Sequence, residues 1–394
     1  MHLQELFVYV ISMEIKKLNP ITEIENLEGK YVFVRLSLNV PVKDGVVRDQ
    51  FRIMQCLPTL KYLLEHKARL ILCSHLGKDG SQSLGPVYEV LKEHIDVTFS
   101  PEVTGVTTTS LRNGLQNGEA LLLENVRKDD REMKNDVGFA GELALLADVF
   151  VNDDFAASHR QHASLDAICT FLPAYVGINF SEEYSQLSKT LSPESPSLFL
   201  LGGAKFETKM PLVEKFLSLY DHLFIGGALA NDFFKAKGYE VGVSLVSGMS
   251  LSGSPLLTHP KILLPIDVTA VRGGVPRVTT PDNVLPDESI LDVGPASIAL
   301  LQEYITNAKT ILWNGPLGNY EGGFQEQTLA CARLIADSDA YSVVGGGDTV
   351  ASIESLQNQD KYSFLSTAGG AMLTFLEEGT LPAIEAMQRA REQM

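Results

Sequence analysis

Basic charge is what this chain has least of. Its 394 residues carry 32 Lys and Arg against 49 Asp and Glu, a formal net charge of −17. A nucleic-acid or anionic-membrane partner needs a broad basic surface, so this balance argues against both. An anionic ligand must then be held by a local basic cluster. Cysteine is also scarce. Cys56, Cys73, Cys169 and Cys331 stand far apart, with no CxxC pair and no regular histidine spacing. That fits reduced thiols in a cytoplasmic protein better than a disulfide framework or a zinc site, and Cys73, inside an apolar strand pattern, reads as core. Long apolar runs and low-complexity tracts are missing as well. The run Leu6 to Ile11 is too short to span a bilayer and lacks the basic flank and cleavage site of a signal peptide. Residues 1–12 read as an appendage, since Met13 opens a more ordinary amino terminus.

What remains is ordinary globular composition, 45% hydrophobic and 21% charged, in a chain long enough for two or more cores. Strand and helix patterns alternate. Strands are expected at 31–38, 68–75, 120–123 and 148–153, with helices at 50–66, 84–94 and 139–147. A second series has strands at 198–201, 222–225, 262–266, 310–313, 341–344 and 363–365. This rhythm predicts an α/β protein of two doubly wound, Rossmann-like parallel-sheet domains. The polar helix and SPESP elbow at 181–196 form the connector, so the domains run 1–180 and from 181 onward.

Polar residues gather where strands end, which is where open α/β sheets bind ligands. In the first half those ends carry Asn39, His75, Arg127, His159, Arg160 and His162. In the second they carry glycine turns: 202–205, 226–227, 314–316, 345–348 and 368–370. The division suggests a small multi-anionic substrate on one side and a nucleotide polyphosphate on the other. Gly345-Gly346-Gly347 ends a buried strand and opens a helix near Thr349, an arrangement that favours phosphate. Asp348 would repel a phosphate unless Mg²⁺ lies between them. The other reading of Asp348 is a solvated turn residue.

The strings VRLSLNVP (34–41), FRI (51–53), SHLG (74–77), LLENVR (122–127) and VNDDFAASHRQH (151–162) occur in order. LLGGAKFETK (200–209), LFIGGALANDFF (223–234), DVGP (292–295), WNGPLGNYE (313–321), VVGGGDT (343–349) and STAGGA (366–371) follow. Together they closely resemble phosphoglycerate kinase, from about residue 25 to residue 390. The resemblance implies an N-terminal phosphoglycerate-binding domain, a nucleotide-binding domain at 181–376, and a segment 377–394 returning to the first domain. It implies reversible phosphoryl transfer between 1,3-bisphosphoglycerate and ADP, giving 3-phosphoglycerate and ATP, with Mg²⁺, by a cytoplasmic monomer. The transfer is expected to be direct and in line after domain closure.

Residue by residue, the resemblance implies phosphoglycerate contacts from Arg35, Ser37, Asn39, Arg52, His75, Lys78, Arg127 and Arg160. Arginine forks suit such oxygens, although an ion-pair role for Arg35 is equally open. His159 and His162 would add donors to the same pocket, or one of them would be a satisfied buried histidine. Catalytic roles fall to Arg52, Lys205, Gly347 and Gly370. Nucleotide contacts fall to Gly203, Ala204, Lys205, Lys209, Gly227, Leu291, Asn314, Pro316, Glu321, Gly346, Gly347, Asp348 and Thr349. Asp348 is the implied metal ligand, and Trp313 reads as core. Ser37 stands where the family usually has Asp, and Lys78 where it has Arg. Ala156, Ala228, Ala368 and Gln327 occupy glycine positions, and a positive φ would strain Ala368. The rival reading is a catalytically weakened paralogue that senses nucleotide or binds a partner.

Overall fold

The computed structural model describes residues 18–392, which divide into two compact units: 18–185 with 378–392, and 186–377. The proposed appendage at 1–12 lies outside the described residues. In the first unit the strands are β1 (Tyr31–Leu36), a small hairpin of β2 (Val42–Lys43) and β3 (Val46–Val47), β4 (Arg69–Cys73), β5 (Val97–Phe99), β6 (Ala120–Leu122), β7 (Val149–Asp153) and β8 (Ala174–Val176). The helices are α1 (Phe51–Glu65), α2 (Gly85–Leu91), α3 (Val106–Gly114), α4 (Val137–Ala144) and α5 (Ile178–Thr190). Six strands pair in parallel in the order β5-β6-β4-β1-β7-β8, with Val34 between Leu72 and Val151. The central run YVFVRL is buried at every position after the first, as a strand covered on both faces requires. On α1, Ile53, Cys56, Leu57, Leu60 and Leu63 recur every three or four residues and bury one face.

The second unit contains β9 (Ser197–Leu201), β10 (His222–Ile225), β11 (Ile262–Leu263), β12 (Val268–Arg272), β13 (Val275–Thr279), β14 (Ser289–Val293), β15 (Thr310–Asn314), β16 (Tyr341–Gly345) and β17 (Phe364–Ser366). Its helices are α6 (Phe206–Leu219), α7 (Gly227–Ala236), α8 (Pro295–Asn307), α9 (Glu326–Ala336), α10 (Gly347–Ser355) and α11 (Gly370–Glu378). The parallel sheet runs β11-β10-β9-β15-β16-β17. Trp313 is fully buried in its core and donates Nε1–H to Gly315 O at 2.9 Å. The last helix, α12 (Pro382–Glu392), belongs to the first unit. There it buries Ile384 and Met387, and Arg389 bonds Asp166 at 3.1 Å.

Several elements differ from expectation. The unit division falls between Ser185 and Gln186, inside α5, rather than at 181. The strand expected at 262–266 shortens to two residues, and beyond it β13-β12-β14 form a separate antiparallel sheet. Its signal was the Gly273-Gly274 turn between two β-branched runs, which a search for parallel βαβ units passes over. The short strands β5 and β8 and the helix α3 were also not anticipated. Helix α10 starts at Gly347, two residues before Thr349.

Candidate functional site

Each six-stranded parallel sheet has a central point where the strand order reverses, and the crevice beyond the carboxyl ends of the strands there is the natural ligand site. In the first unit β1 lies between β4 and β7. Ser37 and Asn39 follow β1, His75 follows β4, and Asp154 follows β7. The loops are tied together: Asn39 Oδ1 accepts from Gly77 N–H at 2.9 Å, and Arg127 donates to Gly77 O at 2.6 Å. Arg52, in the first turn of α1, donates to Asn39 O at 3.3 Å. Lys78 and Arg160 are exposed, while Ser37 and Arg127 are buried.

This crevice is electrostatically tense. Burial and the charges of Arg160 and Arg35 lower the Arg127 pKa to about 10, so it stays cationic at neutral pH. Burial, then Arg35, Arg127 and Arg160, push His162 down to about 3 and His75 well below its usual value. Both histidines are therefore neutral. Arg127 Nε, His159 Nδ1 and His162 Nδ1 are buried without a hydrogen-bond partner. Unmade bonds on buried polar groups are costly, and an anion that accepts from Arg127 would relieve that cost.

Arg35 behaves differently from its expected ligand role. It is fully buried, and its Nη1 forms an ion pair with Asp154 Oδ2 at 2.7 Å. The same nitrogen bonds Leu36 O, Nε donates to Ser164 Oγ at 3.0 Å, and Nη2 donates to His75 Nδ1 at 2.9 Å. It supports the crevice from beneath. Sequence reasoning missed Asp154, Glu132 and Ser164, which complete this layer. The signal was the second Asp of VNDDF, a carboxylate in an apolar stretch.

In the second unit the order reverses between β9 and β15. The loops after these strands interlock: Gly202 N–H donates to Asn314 O and Gly203 N–H to Pro316 O, each at 2.9 Å. Lys209 is buried and donates its Nζ to Gly202 O. Burial and the charge of Lys205 lower its pKa to about 8. A Cβ at Gly315, where φ is +93°, would lie 2.5 Å from the Gly202 backbone oxygen, so only glycine fits against that loop. Gly315 N–H donates to the buried Thr349 Oγ1 at 3.1 Å, which joins β15 to the start of α10. Lys205 is exposed and stands at the N-cap position of α6, without a side-chain capping hydrogen bond.

A cavity of about 300 Å³ opens beside these loops. It is lined by Gly203, Ala204, Gly227, Leu291, Pro316, Glu321 and Asp348 among the expected nucleotide residues. Lys205, Lys209, Asn314, Gly346, Gly347 and Thr349 are not in its lining. Its apolar wall is Phe234, Leu245, Val268, Ile290 and Val293, mostly from α7 and the small antiparallel sheet, with Tyr320 beside them. None of these was foreseen, because apolar residues in strands read first as core. A pocket with one apolar wall and glycine turns opposite suits a flat base with a phosphate tail.

The sequence profile of phosphoglycerate kinase matches residues 21–379. The chain is 41% identical over 382 residues to a phosphoglycerate kinase of Clostridium beijerinckii, covering 92% of this chain and 98% of that one. The chain belongs to the phosphoglycerate kinase family. It is likewise 41% identical to the Thermus thermophilus phosphoglycerate kinase, over 92% and 97% of the two chains. A solved phosphoglycerate kinase from Coxiella burnetii superposes with a TM-score of 0.82 at 36% identity, covering 95% of this chain and all of that one. One from Pyrococcus horikoshii gives 0.82 at 29% identity, with 96% and 100% covered.

The departures from the phosphoglycerate kinase pattern prove mild in their backbone. Ala368 is buried and is not one of the non-glycine residues with positive φ, which among the described residues are Asn26, Asp44, Lys67, Asn135 and Gln357. The strain expected there does not arise. Gln327 is buried and its N–H donates to Asp292 Oδ2 at 3.3 Å.

Proposed function

We infer that this chain transfers a phosphoryl group reversibly between 1,3-bisphosphoglycerate and ADP, yielding 3-phosphoglycerate and ATP. The observation that carries this reading is family membership over nearly the whole chain, in a protein whose first unit holds a buried cationic crevice with unpartnered donors. Arg127, Arg160, His75, Lys78, Ser37 and Asn39 would hold the three-carbon acid. Arg52 would steady the transferring phosphoryl group. The cavity of the second unit would take the base and ribose between its apolar wall and Glu321, with Lys205 and Lys209 toward the phosphates. Direct transfer needs the attacking oxygen within about 3–3.5 Å of phosphorus and neutralised equatorial charge, with no covalent enzyme intermediate.

Asp348 is the residue that would hold Mg²⁺. It is exposed, lies in the first turn of α10 and lines the cavity. Among the described residues no group of three or more His, Cys, Asp or Glu could hold a metal. A cation there would take most of its ligands from phosphate oxygens and water, as Mg²⁺ habitually does. When bound, it supplies charge neutralisation to the phosphate chain. Gly347 and Gly370, at the starts of α10 and α11, offer free backbone N–H groups to the same chemistry.

Four buried thiols support a cytoplasmic setting, and among the described residues no helix is long and apolar enough to cross a membrane. We read the enzyme as a monomer, which sedimentation of the purified chain checks. The deciding assay is ATP formation from 1,3-bisphosphoglycerate and MgADP. Binding of MgADP without turnover would instead support a weakened, nucleotide-sensing paralogue. Asp348→Ala is expected to raise the Mg²⁺ requirement of turnover at least about tenfold; an unchanged magnesium dependence rejects it as the ligand.

A further inference from the structure

We propose that Arg35 is a positioning residue that locks His75 as a neutral Nε2–H tautomer, a fixed hydrogen-bond donor for the three-carbon acid. A guanidinium has five donors and no acceptor, and it does not give up its proton in proteins. Its Nη2 lies 2.9 Å from His75 Nδ1, so that nitrogen must be the acceptor. The ring proton is thereby placed on Nε2, the one remaining polar position, which can only donate.

The lock is built rather than incidental. Both partners are buried, with Arg35 fully enclosed and His75 6% exposed. Arg35 is fixed on three other sides, by Asp154 Oδ2, Leu36 O and Ser164 Oγ. Ser164 in turn donates its hydroxyl to Glu132 Oε1 at 2.6 Å and its N–H to Oε2 at 2.9 Å. Asp154 is held by Ala157 N–H at 3.0 Å. The charged and titratable groups facing His75 are Arg35, Arg127, Arg160 and His162, with Asp154 Oδ2 at 4.0 Å from Nδ1. The cations outnumber the carboxylate and oppose protonation of the ring.

A donor that cannot protonate binds an anionic oxygen without exchanging a proton with it. The crevice then keeps its hydrogen-bonding pattern across the pH range in which a free histidine changes charge. The functional half of this inference rests on the substrate reading of the crevice; the tautomer itself does not.

The test uses the full chain labelled with ¹⁵N-histidine, with His75 assigned by the signal lost in His75→Asn. Long-range ¹H–¹⁵N correlation is expected to show unprotonated Nδ1 and protonated Nε2, unchanged from about pH 5 to pH 8. A His75 signal that titrates in that window, or that carries its proton on Nδ1, overturns the proposal without any variant. Arg35→Lys keeps a charge for Asp154 but lacks the fork. It is expected to release the tautomer and raise KM for 3-phosphoglycerate at least about tenfold, the worth of one charge-assisted hydrogen bond, with KM for MgATP unchanged. A released tautomer with unchanged KM overturns the positioning role. Absence of any turnover in the unmodified enzyme would instead sink the substrate reading, and the ¹⁵N spectra separate the two failures.

Discussion

Arg52 and Arg35 show how little residue type alone says about role. Both stand in matched strings, and both could grip phosphate. Arg35 lies within β1 and is enclosed, with Asp154, Ser164, Leu36 and His75 around it. Arg52 opens α1, is only partly buried, and reaches the loop after β1 through Asn39 O. That position leaves it able to meet charge developing on a phosphoryl group. Arg52→Ala is therefore expected to lower kcat by about 100-fold or more while calorimetry shows unaltered MgADP affinity. Equal losses in both would count against its role. The arginines were legible in the sequence as a cationic set. Their division into an enclosed, ion-paired arginine and others nearer the surface was not, because burial depends on neighbours such as Ser164, distant in the chain.

Loops and helix starts set where those side chains stand. Gly80 is buried with φ +74°, and a Cβ there would lie 2.1 Å from Arg127 O. Gly80→Ala should displace Arg127 and raise KM for 3-phosphoglycerate about tenfold or more, with MgADP binding preserved. A variant that folds and keeps its KM would remove this loop from the site. Helix α5 begins in a comparable way. Asp153 Oδ1 accepts from Phe180 N–H at 2.9 Å, Ile178 N–H donates to Thr59 Oγ1 at 2.8 Å, and Asp153 Oδ2 is buried without a partner. Burial raises the Asp153 pKa to about 7. The unfolded chain releases this proton near about pH 3.9, so the folded state binds more protons across the interval between. The stability it contributes is full below the lower value and is lost as pH rises through the upper one. Asp153→Asn removes that titration. Its melting midpoint should gain on the parent by about 2–4 °C between pH 5 and pH 8. A constant difference across that range would show that Asp153 does not ionise there.

At the scale of the molecule, the chain's last helix completes the unit that its first strands began. Leu381, Ile384 and Met387 are buried there, and Ala383 N–H bonds Ser158 O at 3.1 Å. Removing residues 378–394 should destabilise the first unit on the order of 5 kcal/mol, from three large side chains at about 1.5–3 kcal/mol each. The single tryptophan, Trp313, lies in the core of the second unit and reports that unit's unfolding. The truncated chain should show an early circular-dichroism transition that tryptophan fluorescence does not follow. Coincident, unshifted transitions would show that α12 contributes little. The alternation of apolar strands with amphipathic helices was readable locally, since side-chain period and turn residues are properties of adjacent positions. So were the glycine turns and cationic strand ends, and with them the family. Only the tertiary structure decided which arginine is enclosed, which nitrogen of His75 lies against Arg35 and what walls the cavity of the second unit. Those properties depend on contacts between residues far apart in the chain and on the desolvation those contacts impose, and neither is written into any single stretch.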